Sequence, residues 1–338
     1  MKYFKLLSLA FSTLLSANTF GNPQFEYNGL RYELNTDRQE VFLMGFPSGR
    51  SDTIVIASQV PYNGLLYPVT TMIGQSFYQC WWLSKVIIPS SIREILLRPY
   101  TNPFDACLNL QTIVVENSNK WLCTEDNVLY DKDKTALYCY PGGKTQEKFF
   151  VPEGVNYISA YAFSSNPHIE AVHLPQTAKS IGPGAFNMCY NLKSINIPSS
   201  VEKLEDNLFY ECTSLEMVDI PESVTSLGMA VFAECNNLKF LIIRGFVGRQ
   251  YLNMGLDGIP ESATIYVQSN EIEKYKEYFL GNVLSIELYN PTAIHNIAAP
   301  QIVNRESSNG KWYDLSGRRV SHLPKGVYIK DGRKVVVK

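Results

Sequence analysis

Val201-Glu-Lys-Leu204, Leu208-Phe209-Tyr-Glu-Cys212 and Leu215-Glu-Met-Val218-Asp-Ile220-Pro221 together make one unit of a repeat. The next unit carries Val224, Leu227, Val231-Phe232, Cys235, Leu238, Leu241 and Ile243 at the same places. Phe163, Phe186, Phe209 and Phe232 keep a step of 23 residues, as do Pro152, Pro175, Pro198 and Pro221, and Cys189, Cys212 and Cys235. A fixed period of this length marks a repeat architecture. A unit this short cannot bury its apolar side chains alone, but stacked units turn them into ladders and close one continuous core. The Val-x-Ile-Pro ending has period two and predicts one short strand per unit, which the proline ends because it cannot donate to a ladder. The Phe-x-x-Cys segment reads as a helical turn. The repeated Phe, Leu, Val and Cys side chains are core and carry no chemistry.

At this point the chain resembles the BspA-type leucine-rich repeats of surface proteins from Bacteroidota. Ile181-Gly182-Pro-Gly-Ala185-Phe186-Asn-Met-Cys189-Tyr-Asn-Leu192-Lys-Ser-Ile195-Asn-Ile197-Pro198 carries the likeness almost letter for letter. The resemblance implies a repeat solenoid, mainly β with short helical turns and β-rich caps. It implies adhesion-like protein binding outside the cell, and it names no ligand.

The chain has 338 residues, enough for a large core, which the repeat draws into one elongated domain. A net charge of -2 gives no global field for nucleic acid or an anionic membrane. Residues 1–21 read as a secretory signal: Lys2 and Lys5 precede an apolar run from Leu6 to Leu15, too short to span a bilayer, and Thr19-Phe20-Gly21 offers a cleavage site. No later segment reaches transmembrane length. The expected location is therefore secreted or at the cell surface, with the periplasm as the remaining compartment.

Residues 22–70 predict an N-terminal β cap, with Asn28-Gly29 as a hairpin turn. The solenoid spans 71–243, broken at 116–150, where Asp126 to Tyr138 reads as an inserted hairpin turning at Asp131 to Lys134. Residues 244–289 predict a C-terminal cap, with a strand at 263–267, a helix at 271–280 and a last strand at 283–288. Residues 290–309 read as a linker. Residues 310–338 alternate with Gly turns and predict a small β module. It resembles the C-terminal modules that Bacteroidota use for type IX secretion, though it is shorter; an ordinary strand module is the alternative.

Five of the seven cysteines (Cys80, Cys107, Cys189, Cys212, Cys235) share one repeat position and should be free, because stacked rungs hold their Cβ vectors parallel. Cys123 and Cys139 are the one pair to test for a bridge. There is no Cys-x-x-Cys, phosphate loop, His-Glu-x-x-His or Gly-x-Ser-x-Gly. The expectation is a protein without catalytic residues, metal or cofactor. What remains is surface. The strand residues eight and ten after each Phe should face away from the core and form one continuous sheet face, including Lys85, Ile87, His173, Asn196, Met217, Asp219, Phe240 and Ile242. Trp81 and Trp82 replace the usual polar residues of a turn, and at least one should be exposed unless the N-terminal cap covers both. The partner expected on this reading is an extracellular protein, or a glycan held by the tryptophans. A structural or assembly role in the bacterial envelope is the competing reading.

Overall fold

The computed structural model describes residues 22–45, 51–97, 101–256, 258–268, 272–278 and 285–288, together with the tail strands Trp312–Tyr313, Arg319–Val320, Gly326–Lys330 and Arg333–Val337. The proposed signal and linker lie outside the described residues. The architecture is a mainly β solenoid. Two parallel ladders run along it. One collects the Val-x-Ile strands: Thr53–Val55, Lys85–Ile88 and Thr112–Val115; then Lys148–Phe150, Ala171–His173 and Ser194–Ile195; then Met217–Ile220, Phe240–Ile243, Thr264–Val267 and Ser285–Leu288. The other joins short strands earlier in each unit, such as Tyr157–Ile158 with Ser180–Ile181 and Lys203–Leu204 with Ser226–Leu227.

The Phe turn between these ladders forms a third inter-unit seam. In the Phe163 unit the N–H groups of Tyr161, Phe163 and Ser165 donate to the carbonyls of Pro183, Ala185 and Asn187 in the next unit. Gly184, Phe186 and Met188 repeat this onto Asp206, Leu208 and Tyr210. The residues two before and two after each Phe have positive φ: Tyr161 54° and Ser165 61°, Asn207 55° and Glu211 57°, Ala230 51° and Glu234 61°. Every second N–H thus meets the next unit's carbonyls, while those between, of Ala162, Ser164 and Asn166, close turns onto Ser159, Tyr161 and Phe163 within their own unit. Each left-handed non-glycine residue costs about 1 kcal/mol, which the seam's hydrogen bonds hold in place.

Beneath the seam the phenylalanines stack. Ring centroids of Phe163, Phe186, Phe209 and Phe232 lie 5.0, 5.7 and 5.6 Å apart at interplanar angles of 22°, 15° and 15°. The cysteines explain themselves here too. Cys189, Cys212 and Cys235 donate their S–H groups to the carbonyls of Phe163, Phe186 and Phe209, at 3.2, 3.1 and 3.0 Å. A small apolar side chain with one weak donor fits a buried place beside a carbonyl. Burial pushes the thiols of Cys189 and Cys235 up to about 12, so they are inert as nucleophiles.

The N-terminal segment does more than cover the array. Gln24–Tyr27 and Leu30–Asn35 form the expected hairpin about Asn28-Gly29, both at positive φ. Thr53–Val55, however, pairs in parallel with Lys85–Ile88 and is itself the first rung of the long ladder. The break at 116–150 is likewise part repeat. Leu122–Glu125, Val128–Asp131 and Ala136–Cys139 make an antiparallel meander, but Tyr140 then takes the Phe place, 5.0 Å from Phe163 at 21°, and its N–H donates to Ala162 as a Phe would. Cys123 and Cys139 do not bridge: all seven cysteines are free. They lie on strands flanking opposite edges of Val128–Asp131, so their Cα atoms are about 10 Å apart, beyond disulfide reach.

At the C-terminal end, Arg249–Gly255 is a short helix, and Met254 and Gly258 offer the carbonyls that Ala230 and Glu234 require. The helix Ile272–Tyr278 buries Tyr275, whose hydroxyl accepts from the Val247 N–H and donates to the Gly245 carbonyl. The tail strands form a four-stranded antiparallel sheet.

Candidate binding face on the long ladder

Along each ladder strand alternate residues enter the core, so the others form the outer face. At the N-terminal end Thr53, Lys85 and Thr112 stand in one row, and Val55, Ile87 and Val114 in the next. Val55 is 64% exposed, and Lys85, Ile87 and Val114 are half-buried. This apolar row has no role in the core. Trp81 is 53% exposed, while Trp82 packs half-buried against the N-terminal core; the two rings meet edge-on at 5.7 Å. One tryptophan is therefore partly sheltered by the core and the other stands in water.

In the middle, His173 lies 5.6 Å from Phe150, which is 40% exposed. Burial lowers the His173 pKa, Glu153 opposing it, so the ring is neutral at pH 7. Its Nδ1 is buried with no hydrogen-bond partner among the described residues. Asn196 is committed to the fold: its amide donates to the Leu174 carbonyl at 2.9 Å and its oxygen accepts from the Leu174 N–H at 2.8 Å. The side chain does what a strand backbone would, which is why the strand stops at Ile195.

At the C-terminal end Met217, Phe240 and Thr264 share a row, as do Asp219, Ile242 and Tyr266. Asp219 accepts two 2.6 Å bonds from Arg244, a bidentate pair at the rim. Ile242 departs from expectation. It is only 2% exposed and forms, with Tyr266, Met217 and Phe240, a small apolar cluster on the outer face, apart from the main core that receives Leu241 and Ile243. The face is also not one continuous sheet. The ladder runs in three stretches, interrupted by the meander and again between Ser194–Ile195 and Met217–Ile220. The predicted residues thus fall into three groups rather than one site. Phe150 and Tyr266 are additions; Phe150 stands 23 residues before His173, so the period itself pointed to it.

Among the described residues no nucleophile and base converge on this face. Among the described residues no group of three His, Cys, Asp or Glu side chains could hold a metal ion, and no helix is long and apolar enough to cross a membrane.

The chain matches the BspA type leucine rich repeat region in six copies, over residues 65–128 and 134–249. It is similar in structure to the pneumococcal vaccine antigen PcpA, with 17% identity and a TM-score of 0.49 over 80% of this chain and 99% of that one. A leucine rich cell surface protein from Faecalibacterium prausnitzii shows 19% identity and a TM-score of 0.41, over 82% and 98% of the two chains. The T. pallidum leucine rich repeat protein shows 27% identity and a TM-score of 0.38, over 64% and 91%. No curated protein matches the sequence. With more than half of its length in the matched units, the chain belongs to the BspA-type leucine-rich repeat family.

Proposed function

We propose that this is an exported, non-enzymatic binding protein that recognises another protein at the bacterial cell surface through the outer face of its long ladder. The observation that carries the reading is the row Val55, Ile87 and Val114: in register, outside the core, and apolar where solvent alone would favour polar residues. Large exposed apolar side chains on a rigid scaffold mark contacts. The family of the repeat supports an adhesin-like role. In this reading the leader at 1–21 takes the chain out of the cytoplasm of a member of the Bacteroidota, and residues 310–338, whose strands form an antiparallel sheet, serve as the type IX sorting module. The exposed Trp81, edge-on to Trp82, favours a glycan as the second kind of partner.

The test is adhesion of cells displaying the chain to immobilised matrix proteins and to other bacteria, with the Val55→Glu/Ile87→Glu double variant beside wild type. We expect at least a ~10-fold loss, about 1.4 kcal/mol, with surface display unchanged. Equal adhesion by both would remove the face from the mechanism. A hydrolytic activity that survives purification and dies with a point mutation would overturn the non-enzymatic reading. Protease accessibility on intact cells, with and without residues 310–338, decides the sorting role: exposure should vanish with the tail.

A further inference from the structure

The Phe turns change character along the array. The residue three before each Phe offers its carbonyl to the preceding unit, and in the Phe186 and Phe209 units it is Pro183 and Asp206. In the Phe232 unit it is Met229, and on the next rung it is Met254 of the short helix; their carbonyls receive the N–H groups of Asn207 and Ala230, each at 2.8 Å. Hydrogen-bonded rungs lie about 5 Å apart, so the two methionines are neighbours on one surface. Met229 is 52% and Met254 45% exposed. Tyr251, one helical turn before Met254, is exposed too, while Leu252 beside it fills the core. Single exposed apolar side chains are ordinary, but three on adjoining rungs make a patch.

The patch lies in the acidic part of the chain. Val201 to Leu238 holds eight Asp and Glu residues against one lysine, Lys203, a net -7 in a chain of net -2. Lys203, Lys239 and Arg244 pair with Glu205, Glu216 and Asp219. Asp206 stands one rung before Met229, and Glu211 and Glu234 lie on the far arm of the same turns, two residues after Phe209 and Phe232. Their charge is felt by Tyr210, whose hydroxyl is pushed up to about 12, first by burial and then by Glu211 and Glu234. Tyr190 donates to Glu211 at 3.2 Å. Aromatic rings beside carboxylates favour a cation twice, through the ring face and through the charge. Methionine is unbranched and polarizable, and adapts to apolar partners of differing shape.

We propose that Met229, Met254 and Tyr251, with the carboxylates of Asp206, Glu211 and Glu234, form a docking site for a cationic amphipathic segment of another protein or peptide. Its apolar side chains rest on the methionines and its Lys or Arg side chains reach the carboxylates. Charge selects this class of occupant, because nucleic acid, a sulfated glycan or an acidic segment would meet like charge. The site stands apart from the outer face of the long ladder, so either surface can fail without the other.

The probe is a fluorescein-labelled peptide of about four helical turns, leucine on one face and lysine on the other, titrated into the full chain. Met229→Ser/Met254→Ser should weaken binding at least ~10-fold, and Glu211→Gln/Glu234→Gln ~5-fold. Val55→Glu/Ile87→Glu, which disables the ladder face, should bind the peptide as wild type does. Unchanged affinity in the methionine variant overturns the site. So does equal binding of a peptide with serine in place of leucine, which would show attraction by charge alone. Should a variant fold poorly, methyl NMR of the wild-type methionines decides: the Met229 and Met254 signals should shift on binding while that of Met217, on the long ladder, stays. A shift at Met217 alone overturns the site. Binding that appears only when the Lys- and Arg-rich residues 310–338 are removed would make the chain's own tail the occupant and overturn the proposal of a separate partner.

Discussion

The regular units from 155 to 243 and the junction between Phe104 and Asn166 face the same demand: every carbonyl between stacked units needs a donor. The regular run answers with the backbone seam and, from the Phe186 unit on, one cysteine per unit. The junction keeps parts of both, the Cys107 thiol on the Phe77 carbonyl and the Tyr140 N–H on that of Ala162, and where the meander interrupts the stack it adds buried asparagines. Asn166 stands in the Cys place, 0% exposed, and donates to the carbonyls of Pro141, Gly142 and Lys144 while accepting from the His168 and Ile169 N–H groups. Asn102 donates to Tyr138 and Ala160 and accepts from Phe104 N–H; Asn119 donates to Pro89 and Ile92 and accepts from Trp121 and Leu122. A side-chain amide offers two donors and a two-lone-pair acceptor, so one residue joins several strands of chain that a thiol could not. Gly142 and Gly143 belong to the same solution: a Cβ on either would lie 2.7 Å from backbone atoms of Cys107 or Asn109. The period is thus a hydrogen-bond rule that either residue can satisfy, and the family letter follows from the geometry around it.

The largest effect follows directly. Asn166→Cys restores the family residue and should nevertheless destabilise the chain by about 3 kcal/mol, because several buried backbone groups lose their partner at once. Urea unfolding of the variant against wild type measures it. A cost below about 0.5 kcal/mol would mean that the repeat position, not its local partners, sets the residue.

Much of this was legible in the sequence, and the losses have physical causes. The Phe163 to Phe232 run announced itself because each side chain meets its own kind one unit away. The hairpin at Asn28-Gly29 was legible because both residues accept positive φ cheaply. Thr53–Val55 was not seen as the first rung, since its turn carries no Phe. Tyr140 hid because Gly143 replaced the cysteine that usually follows, although the step from Tyr140 to Phe163 is unbroken. The left-handed residues left no trace: Tyr161, Met188, Glu211 and Ala230 share no chemistry, and what they share is a backbone bond to the next unit. Of the candidate face, the alternation was readable. The roles of Asn196, tied to Leu174, and of Ile242, buried on the outer side, depend on neighbours from other units.

The junction should also carry a pH signature of its own. Asp105 is raised to about 6, first by burial, against a hydrogen bond from Ser164. Its folded pKa lies above the unfolded value near 3.9, so its charge costs stability above pH 6, and that cost fades as pH falls through 6 toward 4. Asp105→Asn should therefore stabilise the chain by about 2 kcal/mol at pH 7 and flatten the stability profile between pH 4 and 6. Urea midpoints across that range would show it. A profile with the same slope in both proteins would place the titration elsewhere.

The smallest effect tests the regular run on its own terms. Ala230 holds φ at 51° two residues before Phe232, and Gly184 holds φ at 60° at the same place before Phe186. If the seam forces the left-handed conformation, glycine is the better residue at both positions. Ala230→Gly should then stabilise by about 0.5 kcal/mol, the relief of strain exceeding the entropy that glycine adds to the unfolded chain. Elsewhere in a strand the same change would cost about that much. Gly184→Ala should destabilise by more than the reverse of this, since its Cβ would also lie 2.6 Å from the Tyr161 ring. Tm values of the two variants measure the pair. Both variants destabilising equally would show that the positive φ is a relaxed choice of the turn, and that the ladder strands rather than the seam keep neighbouring units in step.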